Sequence, residues 1–427
     1  MPVLLFVVFV IALLLKVPVS FSLVIASLAA LTYAGHIDSA VIVQRMYTAS
    51  ESFALIAVPF FILAGGFMES GGISRRIVNF ASSLVGHIRG GLAMVSVVAS
   101  MFFAGISGST AADTAAIGSI LIPAMESKGY GKDMATSVQA TAGSIGIIIP
   151  PSIPMVILGI TAGISIGGLF LGGFIPGVLM GLALMITSYI LARKRNLPAE
   201  PRVPLRELLR RFLDSIPALM TLVIIMGGIL SGVFTPTEAS VIAAIYSFIL
   251  GFFIYRELKL KDIPRIMVKT AVTTGIVVFC IASASSFGWI VAAERIPAKI
   301  AEAILAFSTN KYVILTLFNF LMLFLGTFLD VTPIIIIVVP IIFPIALKLG
   351  ISPIHFGLMT IVNMAIGQCT PPVGVSLFVA TGIANVSLGE ILGTYVKYLL
   401  AMIIVLFIIS FIPPLVTFIP SLVMGIK

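Results

Sequence analysis

Charge is what this chain has least of. Asp, Glu, Lys and Arg make up 10% of its 427 residues, where soluble domains carry about 25%, so a water-exposed globular domain is excluded. Cysteine is scarce as well: Cys280 and Cys369 both lie in apolar sequence, which argues against a disulfide framework and leaves the compartment unmarked. His36, His87 and His355 are scattered without metal-ligand spacing, and no Ser/His/Asp grouping or phosphate loop occurs. Nothing therefore supports an enzyme, or a metal site beyond an alkali cation. The net charge of +9 is not a nucleic-acid footprint, because the basic residues sit mostly in short loops between apolar runs, where they set orientation in a lipid bilayer.

What is present is hydrocarbon. Hydrophobic residues make up 60% of the chain, and a helical span needs roughly 20 of them, so the length allows about a dozen membrane segments. Met1 to Leu15 has the apolar character of a signal peptide but no basic start, and the apolar run resumes after Pro18 as far as Ala34. Residues 2–34 are read as one retained, kinked span. A polar connection follows, then a span at 52–69. Residues 71–87 place Ile73, Ile77, Phe80 and Leu84 at helical spacing with Arg75 and Arg76 opposite, as in a helix lying in the interface.

Two features break the apolar pattern, and each occurs twice. Residues 91–105 and 111–125 are too short to span and flank the tip Gly105-Ile106-Ser107-Gly108-Ser109-Thr110, which predicts a re-entrant hairpin. A second hairpin is expected from 312–328 and 333–348 around Gly326-Thr327-Phe328-Leu329-Asp330-Val331-Thr332. Each hairpin is followed by a broken span, at Gly143-Ser144-Ile145-Gly146 with Pro150-Pro151 and at Gly367-Gln368-Cys369-Thr370 with Pro371-Pro372, since proline interrupts the helix ladder. The interval from Asp113 to Asp330 equals that from Pro123 to Pro340, so the halves are repeats.

The basic linker 193–214 divides the halves, and a second basic loop runs from Arg256 to Lys269. Placing both loops and the Arg75–Arg76 piece in the cytoplasm leaves the second amphipathic piece (Ile296, Ile300, Ile304) outside, so the repeats are inverted. The expected organisation is scaffold helices over 1–70, a first repeat core over 71–192, the linker 193–214, further scaffold helices over 215–291 and a second repeat core over 292–427. The N-terminus falls in the cytoplasm and the C-terminus in the periplasm by the same span count.

Broken, polar backbone is costly at membrane depth unless it lines a cavity or is buried in protein, and its occurrence once per half points to a transporter site at a repeat interface. Sodium, a hard cation, takes carbonyl and hydroxyl oxygens. Gly105, Ser107, Ser109, Gly326 and Thr327 at the tips, with Gly146, Gly367 and Thr370 in the broken spans, are the candidate ligands. The helix starts after the tips favour an anion, which makes Ser107, Thr110, Asp113, Asp330 and Thr332 candidates for substrate contact. Asp113 and Asp330 are equally readable as helix caps.

The motifs resemble those of a known family. Gly105 to Gly118, Pro123-Ala124-Met125, Gly129-Tyr130, Pro59 to Gly65, Ile149 to Ser152, Thr235 to Ala239 and Thr370 to Gly374 are similar to the large permease (M) subunit of tripartite ATP-independent periplasmic (TRAP) transporters over essentially the whole chain. That resemblance implies an elevator-type importer in the bacterial inner membrane, driven by Na+ and carrying an organic acid such as sialic acid or a C4-dicarboxylate. It also implies two partners, a separate four-helix membrane Q subunit and a periplasmic substrate-binding protein (P). The alternative expectation is a self-sufficient sodium–carboxylate symporter of the same architecture.

Overall fold

The computed structural model describes residues 1–35, 37–308 and 310–425, apart from the side chains of residues 301 and 304–307. His36 and the Ile304 side chain, both named above, lie outside the described residues. Among these the chain is helical throughout, without strands.

The first half runs α1 (Pro2–Leu14), α2 (Val19–Ala34), α3 (Ala40–Ser50), α4 (Ala57–Ser70), α5 (Ile73–Val85), α6 (Gly91–Ser107), α7 (Thr110–Ser127), α8 (Lys132–Gly143), α9 (Ile153–Ala162) and α10 (Ile166–Lys194). The second half runs α11 (Leu205–Leu230), α12 (Pro236–Ile249), α13 (Asp262–Ala293), α14 (Ile296–Phe307), α15 (Lys311–Gly326), α16 (Val331–Lys348), α17 (Pro353–Gly367), α18 (Val375–Ala384), α19 (Leu388–Phe411) and α20 (Pro414–Met424). Among the described residues seven helices are long and apolar enough to cross a membrane, α10 and α13 among them. The hairpin arm α6 and the half-helices α9, α17 and α18 are shorter.

The repeats exchange partners. The outgoing arm of the first hairpin, α7, packs on the second half of the second broken span, α18, while α16 packs on α9. In the same reciprocal way α8 lies against α19 and α10 against α17. A twofold relation between repeats produces such an exchange. Taken as one crossing each, α8/α9, α10, α11, α12 and α13 between α5 and α14 make an odd number, which makes the repeats inverted. The first halves of the broken spans sit at the centre: α8 is buried from Met134 to Gly143 and α17 from Ile354 to Gly367. A helix buried on all faces has no lipid-facing stripe, which frees its interrupted end to serve a site.

Three expectations need correction. Residues 2–34 are not one kinked span, because α1 and α2 pack along each other after a turn at Lys16, whose φ is +63°. The span count that put the N-terminus in the cytoplasm therefore loses its basis. The final apolar run, expected as one span over 388–419, is likewise two helices, broken at Ile412-Pro413, with α20 folding back on α10. Both basic loops are shorter than their charge runs suggest, since α11 starts at Leu205 and α13 at Asp262. Charge ends a membrane span without ending a helix.

Arg76 also differs from its expected place. Instead of facing out beside the exposed Arg75, its Nη1 lies 2.7 Å from Glu257 Oε1 and donates to Gly72 O. Its Nε is 3.6 Å from Asp214 Oδ1 and its guanidinium stacks 3.7 Å over the Tyr255 ring. The amphipathic helix α5 is thereby bolted to α11 and to the connection between α12 and α13.

Candidate functional site: two hairpin tips around one cavity

The first tip turns through Gly108, whose φ of +62° and 2.8 Å clearance from Pro151 O for any added Cβ both demand glycine. That turn brings Ser107 onto the start of α7. The Ser107 hydroxyl donates to Asp113 Oδ1 and accepts the Ser109 N–H at 3.2 Å. Asp113 is fully buried, and its Oδ2 has no hydrogen-bond partner among the described residues. A Cβ built on Gly146 would stand 2.3 Å from that Oδ2 and 3.1 Å from Ser109 O. Carboxylate, carbonyl and the glycine of the broken span therefore face one small space. The last turn of α8 also ends there, and helix C-termini carry negative partial charge. A buried carboxylate oxygen without a donor is strongly disfavoured unless a cation or a proton neutralises it.

The second tip is built differently. Gly326 and Gly367 meet backbone to backbone, with a Cβ on either lying 2.8–2.9 Å from the Cα of the other. Thr327 O accepts the Val373 N–H at 3.2 Å, while the Thr327 hydroxyl turns back to Phe324 O at 2.7 Å. The Thr370 hydroxyl likewise caps Ile366 O at 2.7 Å. Asp330 is the N-cap of α16, and its Oδ1 accepts from Val331 N at 2.8 Å and from Gln368 Nε2 at 2.6 Å. Of the two aspartates at one interval, Asp330 caps a helix and Asp113 does not.

A hydroxyl seam ties the repeats together beneath the tips. Thr114 Oγ1 and Ser376 Oγ are 2.7 Å apart, and Ser376 donates on to Ala140 O. Tyr395 OH donates to Cys369 O. Gly143 sits so close to Thr114 that a Cβ would overlap its hydroxyl at 1.9 Å.

A cavity of about 700 Å³ opens in front of both tips, walled by Ser107 to Thr110 from the first and Asp330 to Thr332 with Gln368 from the second. Its far wall is Gly65, Gly66 and Glu69 of α4 with Arg265, Lys269 and Thr273 of α13. That volume suits a small organic ligand, and the starts of α7 and α16 supply N–H groups at its edge.

The structure therefore brings Ser107, Ser109 and Gly146 together around Asp113, and Ser107, Ser109, Thr110, Asp330 and Thr332 onto one cavity. Asp113, expected as a possible substrate contact, is sealed behind the tip and does not line the cavity. Gly105 contributes packing, since a Cβ there would meet Leu222 at 3.3 Å and Pro150 O at 3.4 Å. The Thr327 and Thr370 hydroxyls donate to their own helices, which leaves their oxygen lone pairs, with the backbone carbonyls of that tip, as its ligand source. Gln368 was missed as a site residue although it stands between two that were chosen. Arg265 and Lys269 were missed because their charge was read only as topology.

Inverted repeats, each with a re-entrant hairpin and a broken helix, around a shared central cavity define a membrane carrier. A family model described as "Tripartite ATP-independent periplasmic transporter, DctM component" matches residues 6–415, and the chain belongs to this family of TRAP large permeases. It is 42% identical to the C4-dicarboxylate TRAP large permease DctM of Pseudomonas aeruginosa, covering 88% of each chain. It is 40% identical to the sialic acid TRAP large permease SiaM of Vibrio cholerae, covering 96% of each. The isethionate permease DctMQ of Oleidesulfovibrio alaskensis is 42% identical over 96% of this chain and 65% of that longer protein. In fold, the YdaH transporter of Alcanivorax borkumensis is similar, with a TM-score of 0.59 at 14% identity, covering 92% of this chain and 89% of that one.

Proposed function

We propose that this permease imports an organic acid, of the sialic acid or C4-dicarboxylate type, across a bacterial inner membrane by sodium symport. A small Q subunit and a periplasmic binding protein that delivers the acid complete the transporter. The observation that carries the reading is Asp113: a buried carboxylate whose free oxygen faces Gly146 and Ser109 O, directly behind a tip whose front lines the cavity. Cation and anion thus sit on opposite sides of one short turn. Binding of Na+ at Ser107, Ser109, Gly146 and Asp113 orders the turn that presents Ser107, Ser109 and Thr110 to the acid. A second cation is held by backbone oxygens where Gly326 meets Gly367.

The mechanism is an elevator. The hairpins and broken spans (α6–α10 and α15–α19) slide as one body against α1–α4 and α11–α13, and the hydroxyl seam of Thr114, Ser376 and Ala140 keeps that body rigid. The basic segments at 193–214 and 256–269 lie in the cytoplasm, so the cavity, with Arg265 and Lys269 on its wall, faces inward here.

The test is uptake of succinate, N-acetylneuraminate and isethionate into proteoliposomes holding the permease and its Q subunit, with and without a sodium gradient and the binding protein. Uptake of one acid that needs both is expected. Uptake indifferent to sodium refutes the coupling. Full uptake without the binding protein favours the self-sufficient symporter.

A further inference from the structure

We propose that Arg265 is the cytoplasmic receiving site for the transported anion: a guanidinium on the static wall that takes the acid's carboxylate or sulfonate from the hairpin tips only when the cavity faces inward. The proposal deepens the symport reading and rests on it.

Arg265 shares the cavity with Ser107–Thr110 and Asp330–Thr332. The other charges on the far wall are occupied. Lys269 Nζ stands 3.6 Å from Glu69 Oε2, and Asp262 Oδ2 accepts the Lys259 N–H at 3.1 Å. The exposed Arg265 side chain alone among them has neither an ion pair nor a hydrogen bond within the described residues. An unpaired guanidinium in a cavity bounded by apolar helices presents a planar fork matched to two oxygens of a carboxylate or sulfonate.

Its backbone is held in place. The neighbouring Ile266 is buried against Phe67 and Leu258, and its Cγ2 presses so near Gly66 that an added Cβ there would lie 2.7 Å away. Helix α13 is thus seated on α4, and both belong to the part that stays still in the elevator reading. A charge on the static wall touches the cargo at one end of the stroke only, so it biases that end alone. The tips release an acid that has lost its sodium, and Arg265 offers the next anion site on the way out.

The competing role is a lipid anchor, in which Arg265 binds bilayer phosphates. Counterflow in proteoliposomes separates the two, using whichever of succinate, N-acetylneuraminate or isethionate the wild-type complex takes up. Arg265→Gln is expected to raise the half-saturation measured from the cytoplasmic face about five- to tenfold, leaving the outer-face and sodium half-saturations unchanged. Arg265→Lys, which keeps the charge but loses the fork, should recover part of the loss. A wild-type cytoplasmic half-saturation in Arg265→Gln overturns the assignment while leaving the transport reading intact. So does complete rescue by lysine with only protein abundance altered in the glutamine variant. A wild-type complex that moves none of the three acids under a sodium gradient overturns the transport reading, and this assignment with it.

Discussion

Replacing Gly367 by alanine tests the second tip with one methyl group. A Cβ at this position would stand 2.8 Å from Gly326 Cα and 3.1 Å from both its carbonyl carbon and oxygen. Ordinary contact begins at 3.4 Å, so the two backbones have to part by about 0.6 Å, with no flexible side chain between them to absorb the shift. Overpacking of this kind costs about 1–3 kcal/mol. Metal sites tolerate roughly 0.2 Å in ligand distance, so a displaced Gly326 carbonyl should leave the proposed coordination shell. At about 1.4 kcal/mol per tenfold, the sodium half-saturation for uptake should rise roughly 10- to 100-fold, with a matching loss of sodium-dependent thermal stabilisation in detergent. Gly382→Ala is the control, because an added Cβ there meets nothing within 4 Å. A Gly367→Ala permease with wild-type sodium half-saturation and melting temperature would refute the claim that these backbones form a cation site.

Three further outcomes follow from other contacts. Asp113→Asn keeps the shape at the first tip but removes the buried charge that wants a cation. It should remove the larger part of the sodium-dependent stabilisation, leaving that of the second tip, while the sodium-free melting temperature holds or rises; an undiminished sodium stabilisation would count against Asp113 as a ligand. Arg76→Ala removes the 2.7 Å pair to Glu257 and the stack on Tyr255, with an expected loss of about 1–3 kcal/mol in unfolding experiments. Arg76→Lys should restore little of it, since lysine has neither fork nor plane. Asp133 is held by Arg195 at 2.5 and 2.9 Å and accepts from Thr394 at 2.6 Å, tying α8, α10 and α19 together. Both members of the ion pair are about one-third exposed, so Asp133→Ala should cost only about 1 kcal/mol, read as a small shift in melting temperature without a change in sodium half-saturation.

How much of this could be read from residues alone depends on the range of the interaction. Hairpins and breaks were legible because Gly105 to Thr110 and Pro150-Pro151 are local signals set in long apolar runs, and backbone chemistry acts over a few residues. The fold-back of α1 on α2 was not, since an apolar run interrupted by Lys16-Val17-Pro18 reads the same whether the chain kinks or reverses. Arg76 looked like a solvated charge because its acceptor, Glu257, stands 181 positions away.

Repeat symmetry misled in one informative way. Asp113 and Asp330 occupy equivalent intervals, yet the first tip places Ser107 beside its aspartate, while the second has Gly326-Thr327-Phe328 before its own and turns the Thr327 hydroxyl onto Phe324 O. Asp330 is left to cap α16 and hold Gln368 at the cavity wall. Duplication preserved the backbone interruption, which any cation site here needs, and let the side chains diverge. Sodium behind the first tip would meet a full negative charge, whereas at the second it would meet only the dipoles of carbonyls and hydroxyls. The two sites should therefore differ in affinity: a charge change at Asp113 would act on the tighter site, and a methyl group at Gly367 on the weaker one.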